Sequence, residues 1–393
     1  MLFRACTMAA TVSLPFALHA PVLALGSEMK NTVCIAAGTQ AWVSAPLDDL
    51  KDAASFDEWR CRVETWPCEL GIEPAIIAHD LHPEYVTTKA APALHPRARH
   101  LAVQHHEAHV ASCCASEGCA GRVIGLAFDG TGYGADGTLW GGEFFTGSLN
   151  DGFVRRARLR PMTLAGGEAA IREPWRIALA LLHDAGVDES RWRALPRGVP
   201  AERLAVVQHL LSAGADAPVR SSSVGRLFDG VAALLGICPC AEREAQAAVA
   251  LEHAAGATDA GGLYPLPFAR EDALEELDWR PMVQRMSDEM GKGASPATLA
   301  ARFHDSLAEA VAAWCARIDG GAVKTVAAAG GVFWNRRFTH SLRAMLEERG
   351  CTLVTPSRVP PSDAGLSLGQ AVLAGVRAAS VMASSIRNLK PEI

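Results

Sequence analysis

The sequence alternates short apolar strands with helices, and this alternation occurs twice, which constrains the fold more than any other feature. Apolar runs between Gly, Pro and Asp favour buried strands, and apolar residues at three- and four-residue spacing favour helices. The first unit comprises strand-like pieces VLALG (22–26), KNTVCIA (30–36) and QAWVS (40–44), a helix at 48–70, a strand at 74–80, a strand end at 100–107 and a helix at 110–117. Two such units predict an α/β protein.

The second unit follows the same plan with a helical insertion. Strands are predicted at 122–130 and 138–149, and Ala-rich helices occupy about 174–255. An amphipathic helix from Thr298 to Ile318 then has its apolar residues on one face: Phe303, Leu307, Val311, Trp314 and Ile318. A strand at 324–331, a helix, a strand at 352–356 and a last helix complete the chain. Because ligands gather at the carboxyl ends of strands in such folds, we predict two lobes that close over a nucleotide.

Charge and cysteine content exclude several classes of protein. The chain has 37 basic and 43 acidic residues, a formal charge of −6, so we expect neither nucleic acid nor a membrane surface as a partner. Its 11 cysteines are odd in number and contain no C-x-x-C pair, which argues against a disulfide framework and a zinc finger. Scattered free thiols fit a reducing compartment, and we expect a cytoplasmic protein.

The N-terminal region allows two interpretations. The apolar stretch from Thr7 to Leu25 has features of a secretory leader. Pro15, His19 and Pro21 interrupt it, however, and its end fits the first buried strand better. We therefore expect residues 1–20 to form a separate N-terminal segment and the first strand to begin at residue 22.

Two histidines four residues apart are the sharpest local feature. They are His105 and His109 in VQHHEAH (103–109), at a predicted strand-to-helix junction. On one helix face, two neutral imidazoles at this spacing can hold a divalent metal. Ordinary surface or capping histidines would give the same pattern, and the order of residues is not the H-E-x-x-H of zinc proteases.

A second candidate is the glycine-rich segment FDGTGYGADGT (128–138), which follows an apolar strand. Backbone N–H groups of glycines can approach phosphate oxygens without interference from a Cβ atom, and Asp129 would reach a metal or a metal-bound phosphate. The alternative is a hairpin whose glycines only permit positive φ.

Two later segments could also face a ligand. In GGVFWN (330–335), two glycines let a helix start press against a ligand, and Asn335 can donate to and accept from a base or ribose. In PPSDAG (360–365), Asp363 lies on a proline-fixed loop. Each has a plainer interpretation, a strand-to-helix turn for the first and an N-cap for the second.

The chain resembles the C-terminal transferase domain of HypF, a [NiFe]-hydrogenase maturation protein related to the tRNA threonylcarbamoyl transferase and the antibiotic O-carbamoyltransferases. The resemblance covers about residues 22–378. It is carried by ordered motifs: LALGSEMKNT, HDLHPEYVTT, VQHHEAHVAS, LAFDGTGYGADGTLWGGEF, IREPWR, SSVGRLFDGVAALLG, EAQAAVALE, AARFH, GGVFWN and PPSDAGLSLGQA.

The resemblance implies a two-lobed actin/hexokinase-like fold with ribonuclease H-like lobes. We expect four segments: 1–20 N-terminal, 21–120 the first lobe with the histidine motif, 121–378 the second lobe with the helical insertion and nucleotide site, and 379–393 a C-terminal tail. It also implies one iron or zinc ion bound by His105, His109 and Asp363, with Asp129 beside or on the metal. We expect all four of these residues to be catalytic.

Nucleotide contacts follow from the resemblance as well. The phosphates are expected at Gly130, Thr131 and Gly132, with Lys30 and Asn31 in a facing hairpin. The remaining expected nucleotide residues are Asp229, Glu244, Gly330, Gly331 and Asn335. ATP or carbamoyl-adenylate would bind there, with Mg²⁺ as a further ion.

The implied reaction is acyl transfer from a mixed anhydride to sulfur. Carbamoyl-adenylate, made from carbamoyl phosphate and ATP, would be the donor, and the C-terminal cysteine thiolate of HypE the acceptor, for synthesis of the cyanide ligands of iron. A metal touching phosphate and carbamoyl oxygens would stabilise the charge that develops on attack. We assign no cysteine of this chain as nucleophile.

Departures from the family leave the donor and the acceptor open. The resemblance begins near residue 22, so we expect the acylphosphatase, zinc-binding and adenylating modules of HypF on another chain. Ala245 replaces the usual glycine of a Y-E-G-Q motif and is expected to crowd the nucleotide side. Alternatives are carbamoyl transfer to a small hydroxyl or to tRNA adenosine, and a non-catalytic scaffold that binds HypE or HypF.

Overall fold

The computed structural model describes residues 8–188, 199–212, 219–271 and 273–387. A first sheet has four strands in the order β2-β1-β3-β4. The β1 and β2 strands are antiparallel, whereas β3 is parallel to both β1 and β4. The strand bounds are Met8–Ala24 (β1), Cys34–Ser44 (β2), Ile76–Asp80 (β3) and Arg99–Val103 (β4).

The second sheet repeats this plan on a larger scale. Strand β5 (Val123–Tyr133) pairs antiparallel with β6 (Leu139–Ser148) on one side and parallel with β12 (Thr325–Ala329) on the other. The order is β10-β11-β7-β6-β5-β12-β13, and off this path β9 pairs with both β6 and β8. The other strands are Gly152–Leu159 (β7), Met162–Thr163 (β8), Arg220–Ser221 (β9), Phe268–Glu271 (β10), Leu274–Leu277 (β11) and Thr352–Val354 (β13).

Helices cover the outer faces of both sheets and fill the space between them. Within the described residues they are Ala53–Glu69 (α1), Val86–Ala90 (α2), His105–Ser116 (α3), Glu168–Arg172 (α4), Trp175–Asp184 (α5), Ala201–Ser212 (α6), Val224–Leu234 (α7), Gln246–Ala255 (α8), Arg280–Gly291 (α9), Pro296–Arg317 (α10), Arg336–Glu348 (α11) and Leu366–Arg387 (α12). Helices α3 and α12 pack together between the sheets, and their core includes residues from both.

The predicted amphipathic helix illustrates why these elements form. Helix α10 begins after Ser295, whose hydroxyl accepts from the Thr298 N–H at 3.1 Å, with Pro296 at its first position. Its predicted apolar face is buried in the core of the second lobe. Burial of one apolar side chain of this size contributes about 1.5–3 kcal/mol, so this face holds the helix in that core.

The beginning of the fold differs from the prediction. Strand β1 begins at Met8 and not at residue 22, so residues 8–20 belong to the first sheet, while residues 1–7 lie outside the described part. The pairing of β1 with β2 is irregular from Ser13 to Val22, and this segment contains Pro15 and Pro21. Irregular pairing of this kind accommodates prolines within a strand, and for this reason they did not end it.

Two further elements differ from the prediction. The pieces predicted at 30–36 and 40–44 join in one strand, β2, which begins at Cys34 and continues through Gly38, where φ is 55° opposite Leu18. The last helix, assigned by sequence to the second lobe up to residue 378, packs against the first sheet and continues to Arg387. Residues 388–393 of the expected tail lie outside the described part.

No helix among the described residues is both long and apolar enough to cross a membrane.

Candidate metal centre and adjoining cleft

Helix α3 begins with the two histidines of the H-x-x-x-H motif. Its first residue, His105, follows β4 after Gln104, whose side-chain oxygen caps the helix by accepting from the Glu107 N–H at 2.9 Å. The four-residue separation places His105 and His109 on one helix face, with ring centroids 4.9 Å apart. Both rings are buried, and neither Nε2 atom has a hydrogen-bond partner among the described residues.

Asp80, the last residue of β3, orients the first of these rings. Its Oδ2 accepts from His105 Nδ1 at 2.8 Å, and its Oδ1 accepts from the His82 N–H at 2.9 Å. In the neutral imidazole, a proton on Nδ1 leaves the lone pair of Nε2 free, as a metal ligand requires. The Asp80 carboxylate thus selects the metal-binding tautomer of His105.

Two carboxylates face the histidines from the second lobe. Asp129 lies on β5, where pairing with β6 is irregular, and its Oδ1 accepts from the Gly331 N–H at 2.9 Å. Asp363 opens a short 3-10 turn after Pro360-Pro361-Ser362. Its side chain does not cap that turn, so the simple N-cap interpretation is wrong. The other oxygen of Asp129 and Oδ1 of Asp363 point at both Nε2 atoms.

The spacing of these groups fits a metal ion. Their ligand atoms all lie within 4.8 Å of one another, and the four nitrogen-to-oxygen distances run from 3.5 to 3.8 Å. Metal–ligand bonds of about 2.0–2.1 Å in a tetrahedron separate ligand atoms by roughly 3.4 Å. A dication would also satisfy both orphaned Nε2 atoms. We call His105, His109, Asp129 and Asp363 the four-ligand cluster.

Electrostatics within the cluster favour negative carboxylates and protonated histidines. Burial alone would raise the pKa of Asp129, but the two histidines hold it well below its usual range. Burial alone would lower the pKa of His105, and the surrounding carboxylates, Asp80 first, raise it well above its ordinary value. Burial raises and the histidines lower the pKa of Asp363, which ends below its ordinary value. Two negative carboxylates therefore face two histidines, and each pair stabilises the charged form of the other.

The glycine-rich segment contributes by close approach to the rings. A Cβ atom at Gly132 would lie 2.6 Å from His106 Cε1 and 2.8 Å from His105 Cδ2. The segment is not a turn after the strand, as predicted, but the second half of β5, and the turn follows at 134–138. Of the glycines from 130 to 137, Gly137 alone has a positive φ. Space beside the histidines, and not positive φ, requires glycine at 132.

A cleft of about 380 Å³ between the lobes adjoins the cluster. It begins at Asp129 and Asp363 and is lined by charged residues of both lobes: Glu28, Lys30, Lys51, Arg172, Arg226, Asp229, Glu242, Arg243 and Glu244. Besides Lys30, five predicted nucleotide-contacting residues line it, namely Gly130, Thr131, Asp229, Glu244 and Gly331. The carboxyl ends of β3, β5 and β12 meet here, which is where α/β folds of this kind bind their ligands.

A salt bridge crosses the mouth of this cleft. Lys30, in the hairpin between β1 and β2, contacts Glu244 of the second lobe at 2.7 Å, and both side chains are about half exposed. Ala245, the departure noted in the sequence, has a φ of 56° at the start of α8. This left-handed conformation favours glycine, which accounts for the residue usual in the family at this position.

Three predicted nucleotide residues have other roles. Asn31 is fully buried, and its amide donates to the Leu25 and Ser27 carbonyls, so it stabilises the hairpin without lining the cleft. Gly330 has a φ of 108°, and a Cβ there would lie 2.1 Å from the Phe128 carbonyl. Gly132 faces the histidines, as described above, and does not line the cleft.

Asn335 caps helix α11. Its Oδ1 accepts from the Phe338 N–H at 2.8 Å, and its Nδ2 lies 3.1 Å from His304 Nε2. Both polar atoms of the Asn335 side chain are thus used within the protein, which supports the plainer interpretation of GGVFWN as a strand-to-helix turn. Asn335 also lines a narrow apolar slot next to the cleft, together with Phe228 and Trp334.

Several residues of the site were not identified from the sequence. Asp80 and Tyr85 belong to the motif HDLHPEYVTT, for which the sequence predicts no site residue, and both lie at the site. A carboxylate ending a buried strand was the available signal for Asp80. In GRLFDG the sequence predicts a site role for Asp229 but not for Arg226, although the two side chains pair at 2.9 Å. Nothing in the sequence pattern marks Glu28 as a cleft residue.

Comparison with known proteins identifies the family. The model described as "HypF Kae1-like domain" matches residues 17–116, and "Carbamoyltransferase, Kae1-like Domain, second subdomain" matches residues 125–370. The chain belongs to the HypF carbamoyltransferase family. The Carbamoyltransferase HypF homolog of Cupriavidus necator is 38% identical over 374 residues, which cover 93% of this chain and 94% of that protein. The resemblance predicted from the ordered motifs is confirmed.

Other HypF proteins are about twice as long as this chain. Carbamoyltransferase HypF2 of Cupriavidus necator is 39% identical over 389 residues, which cover 91% of this chain and 47% of HypF2. A crystal structure of full-length HypF in a phosphate- and nucleotide-bound form superimposes with a TM-score of 0.84 at 32% identity, over 93% of this chain and 47% of that one. The HypF of T. kodakarensis gives the same TM-score at 29% identity, over 94% and 49%. The predicted two-lobed α/β fold is thus confirmed.

Proposed function

We propose that this chain transfers the carbamoyl group of carbamoyl-adenylate to the C-terminal cysteine thiolate of HypE, a step in making the cyanide ligands of [NiFe]-hydrogenase. The observation that carries the proposal is the four-ligand cluster at the end of an interlobe cleft, in a chain of the HypF carbamoyltransferase family. Carbamoyl phosphate and ATP are the sources of the donor.

The residues of the cluster fit one iron or zinc ion in number, chemistry and spacing. Nitrogen and oxygen ligands are typical of both metals, and two of the ligands otherwise remain unsatisfied in a buried site. When bound, the ion would supply Lewis-acid stabilisation of the negative charge that develops on phosphate and carbamoyl oxygens. Asp80 and Gly331 would hold one ligand each in position through their hydrogen bonds.

The cleft walls would orient the nucleotide. Gly130 and Thr131 line the cleft next to Asp129, so phosphates held there would lie beside the cluster. We propose that Lys30 and Glu244 exchange their mutual salt bridge for contacts with ATP or carbamoyl-adenylate, since both line the cleft at its exposed end. The apolar slot beside Trp334 would take the base, and Asn335 would support its wall.

The acceptor thiol would come from another protein. None of the described cysteines lines the cleft, and burial raises the pKa of Cys113, Cys114 and Cys315 above the ordinary range, which disfavours their thiolates. A thiolate that attacks the carbamoyl carbon must therefore enter through the cleft mouth. The C-terminal cysteine of HypE is an acceptor of this kind.

An acceptor competition tests this proposal against transfer to a small hydroxyl. The chain is incubated with isotopically labelled carbamoyl-adenylate generated in situ, and with HypE, HypE lacking its terminal cysteine, or small alcohols. We expect label on intact HypE alone. Label on an alcohol and not on HypE would refute the proposed acceptor, and absence of label from every acceptor would favour a scaffold without catalytic activity.

A further inference from the structure

Arg226 occupies an unusual position in the cleft wall. It lies in the first turn of α7, is only 7% exposed, and yet lines the cleft. Its Nη1 contacts Asp229 Oδ2 at 2.9 Å, an i,i+3 pair on the same helix. Its Nε is buried and has no hydrogen-bond partner among the described residues. A buried guanidinium with an unused donor is costly unless a further group satisfies it.

The surrounding backbone fixes this guanidinium beside the cluster. The Ser223 hydroxyl caps α7 by accepting from the Arg226 N–H at 3.1 Å and donates to the Asp129 carbonyl at 2.6 Å. A Cβ at Gly225 would lie 3.0 Å from both the Asp129 carbonyl oxygen and Gly130 Cα. The first turn of α7 therefore presses directly on β5 at the residue that supplies a cluster carboxylate.

The guanidinium reaches the predicted phosphate position. Arg226 Nη2 lies 3.4 Å from the point where a Cβ would stand on Gly130, so the two groups face the same part of the cleft. Asp229 is itself buried and its Oδ2 contacts Nη1, whereas Nη2 lies beside Gly130. A fork of this geometry matches two oxygens of a phosphate.

We infer that Arg226 binds the phosphoryl oxygens of the nucleotide donor and holds the departing phosphate, with Asp229 as its positioning residue. This inference rests on the proposed function for the reaction, although the anion contact itself does not require it. No other described arginine of the cleft is as deeply buried, since Arg172 and Arg243 are exposed. A desolvated charge acts more strongly on a ligand than an exposed one.

The proposed contact matches the charge changes of the transfer. The thiolate sulfur forms a bond to the carbamoyl carbon, the bond from that carbon to the phosphate oxygen breaks, and its electron pair stays on that oxygen. The negative charge of the thiolate thus passes to AMP. A guanidinium held at this oxygen is stabilising in the transition state more than in the bound donor, which is the condition for accelerating the chemical step.

Binding of AMP and of adenosine to the wild-type chain and to Arg226→Gln tests the inference by calorimetry. We expect Arg226→Gln to weaken AMP binding by about 10- to 100-fold, the worth of a charge-assisted contact, and to leave adenosine binding unchanged because adenosine lacks the phosphate. Arg226→Lys keeps a charge opposite Asp229 but loses the fork, so it should fall between the two. Equal weakening for AMP and adenosine would overturn the inference, because it would indicate a structural role only.

A matched control separates this effect from the loss of any buried ion pair. Arg158 on β7 pairs with the nearly buried Glu276 at 2.6 Å, away from the cleft lining, and Arg158→Gln should change neither the AMP affinity nor the adenosine affinity.

If Arg226→Gln fails to fold, the double variant Arg226→Gln/Asp229→Asn removes both charges and gives the same comparison of ligands. Because AMP binding is measured without transfer, failure of the proposed carbamoyl transfer would not hide the result. Unchanged AMP binding by a folded Arg226 variant would refute the inference.

Discussion

Replacing Asp80 by asparagine should weaken metal binding without removing a metal ligand. In the wild type, one Asp80 oxygen accepts from His105 Nδ1 and the other from the His82 N–H. An asparagine that keeps its oxygen towards His82 presents its NH₂ group to His105 Nδ1, which must then accept. The ring proton moves to Nε2, the atom that faces the metal-binding carboxylates. A metal can bind only after that proton is displaced or the amide is turned over.

The expected loss of metal affinity can be worked out from the cost of turning the asparagine amide over. Turning the amide over places two donors, the NH₂ group and the His82 N–H, against each other in a fully buried site. An unsatisfied buried donor costs about 1–3 kcal/mol, which corresponds to roughly 5- to 150-fold in affinity. Substitutions of carboxylates that orient metal-binding histidines cost about 10- to 100-fold. We therefore expect Asp80→Asn to weaken metal binding by about one to two orders of magnitude.

Competition titrations with a chelator, using zinc and, without oxygen, ferrous iron, measure this affinity. Asp278→Asn is a matched control, since Asp278 is also nearly buried and accepts from Arg280 at 2.7 Å, but does not line the cleft. The control should bind metal as the wild type does. If folded Asp80→Asn also bound metal with wild-type affinity, selection of the His105 tautomer by Asp80 would be wrong.

Three further predictions concern the same region. Gly132→Ala should lower the free energy of unfolding by about 1–3 kcal/mol and weaken metal binding, because its Cβ would collide with rigid imidazole rings, whereas Gly121→Ala, with nothing within 4 Å, should have little effect in denaturant titrations. Ala245→Gly should raise the free energy of unfolding by about 1 kcal/mol, since φ is 56° there; equal or lower stability would contradict strain at this position. Metal affinity should rise with pH through neutrality. Burial lowers, and the carboxylates raise, the pKa of His105 and His109 to above 6.5, so protons compete with the metal until the pH exceeds those values. Zinc titrations between about pH 6 and 8 check the sign, and affinity independent of pH would contradict it.

The histidine pair could be found from the sequence because its signal is local. The four-residue spacing determines that both imidazoles share a helix face, whatever the rest of the chain does. The two carboxylates are different, since Asp129 and Asp363 are more than 200 residues apart and join the pair only through the packing of the two sheets. Each was a weak candidate by itself, and the resemblance to the HypF family supplied their association with the histidines.

Other parts of the fold could not be predicted because the deciding contacts are distant. Strand β1 continues through Pro15 and Pro21 since its pairing with β2 is irregular there, which no local pattern around the prolines reveals. Helix α12 has the composition of any apolar helix, and only packing places it against the first sheet. Asn335 has the polar atoms to bind a nucleoside, but the geometry of the helix start commits them to a cap.

We propose that this chain transfers a carbamoyl group to HypE through the four-ligand cluster. Intact-mass spectrometry of HypE tests it most directly, after incubation with the metal-loaded chain, carbamoyl phosphate, ATP and a HypF adenylating domain. We expect one carbamoyl adduct on the C-terminal cysteine of HypE with the wild-type chain, and none with His109→Ala or without the chain. An adduct that forms equally well with His109→Ala, or no adduct with the wild type, would contradict it.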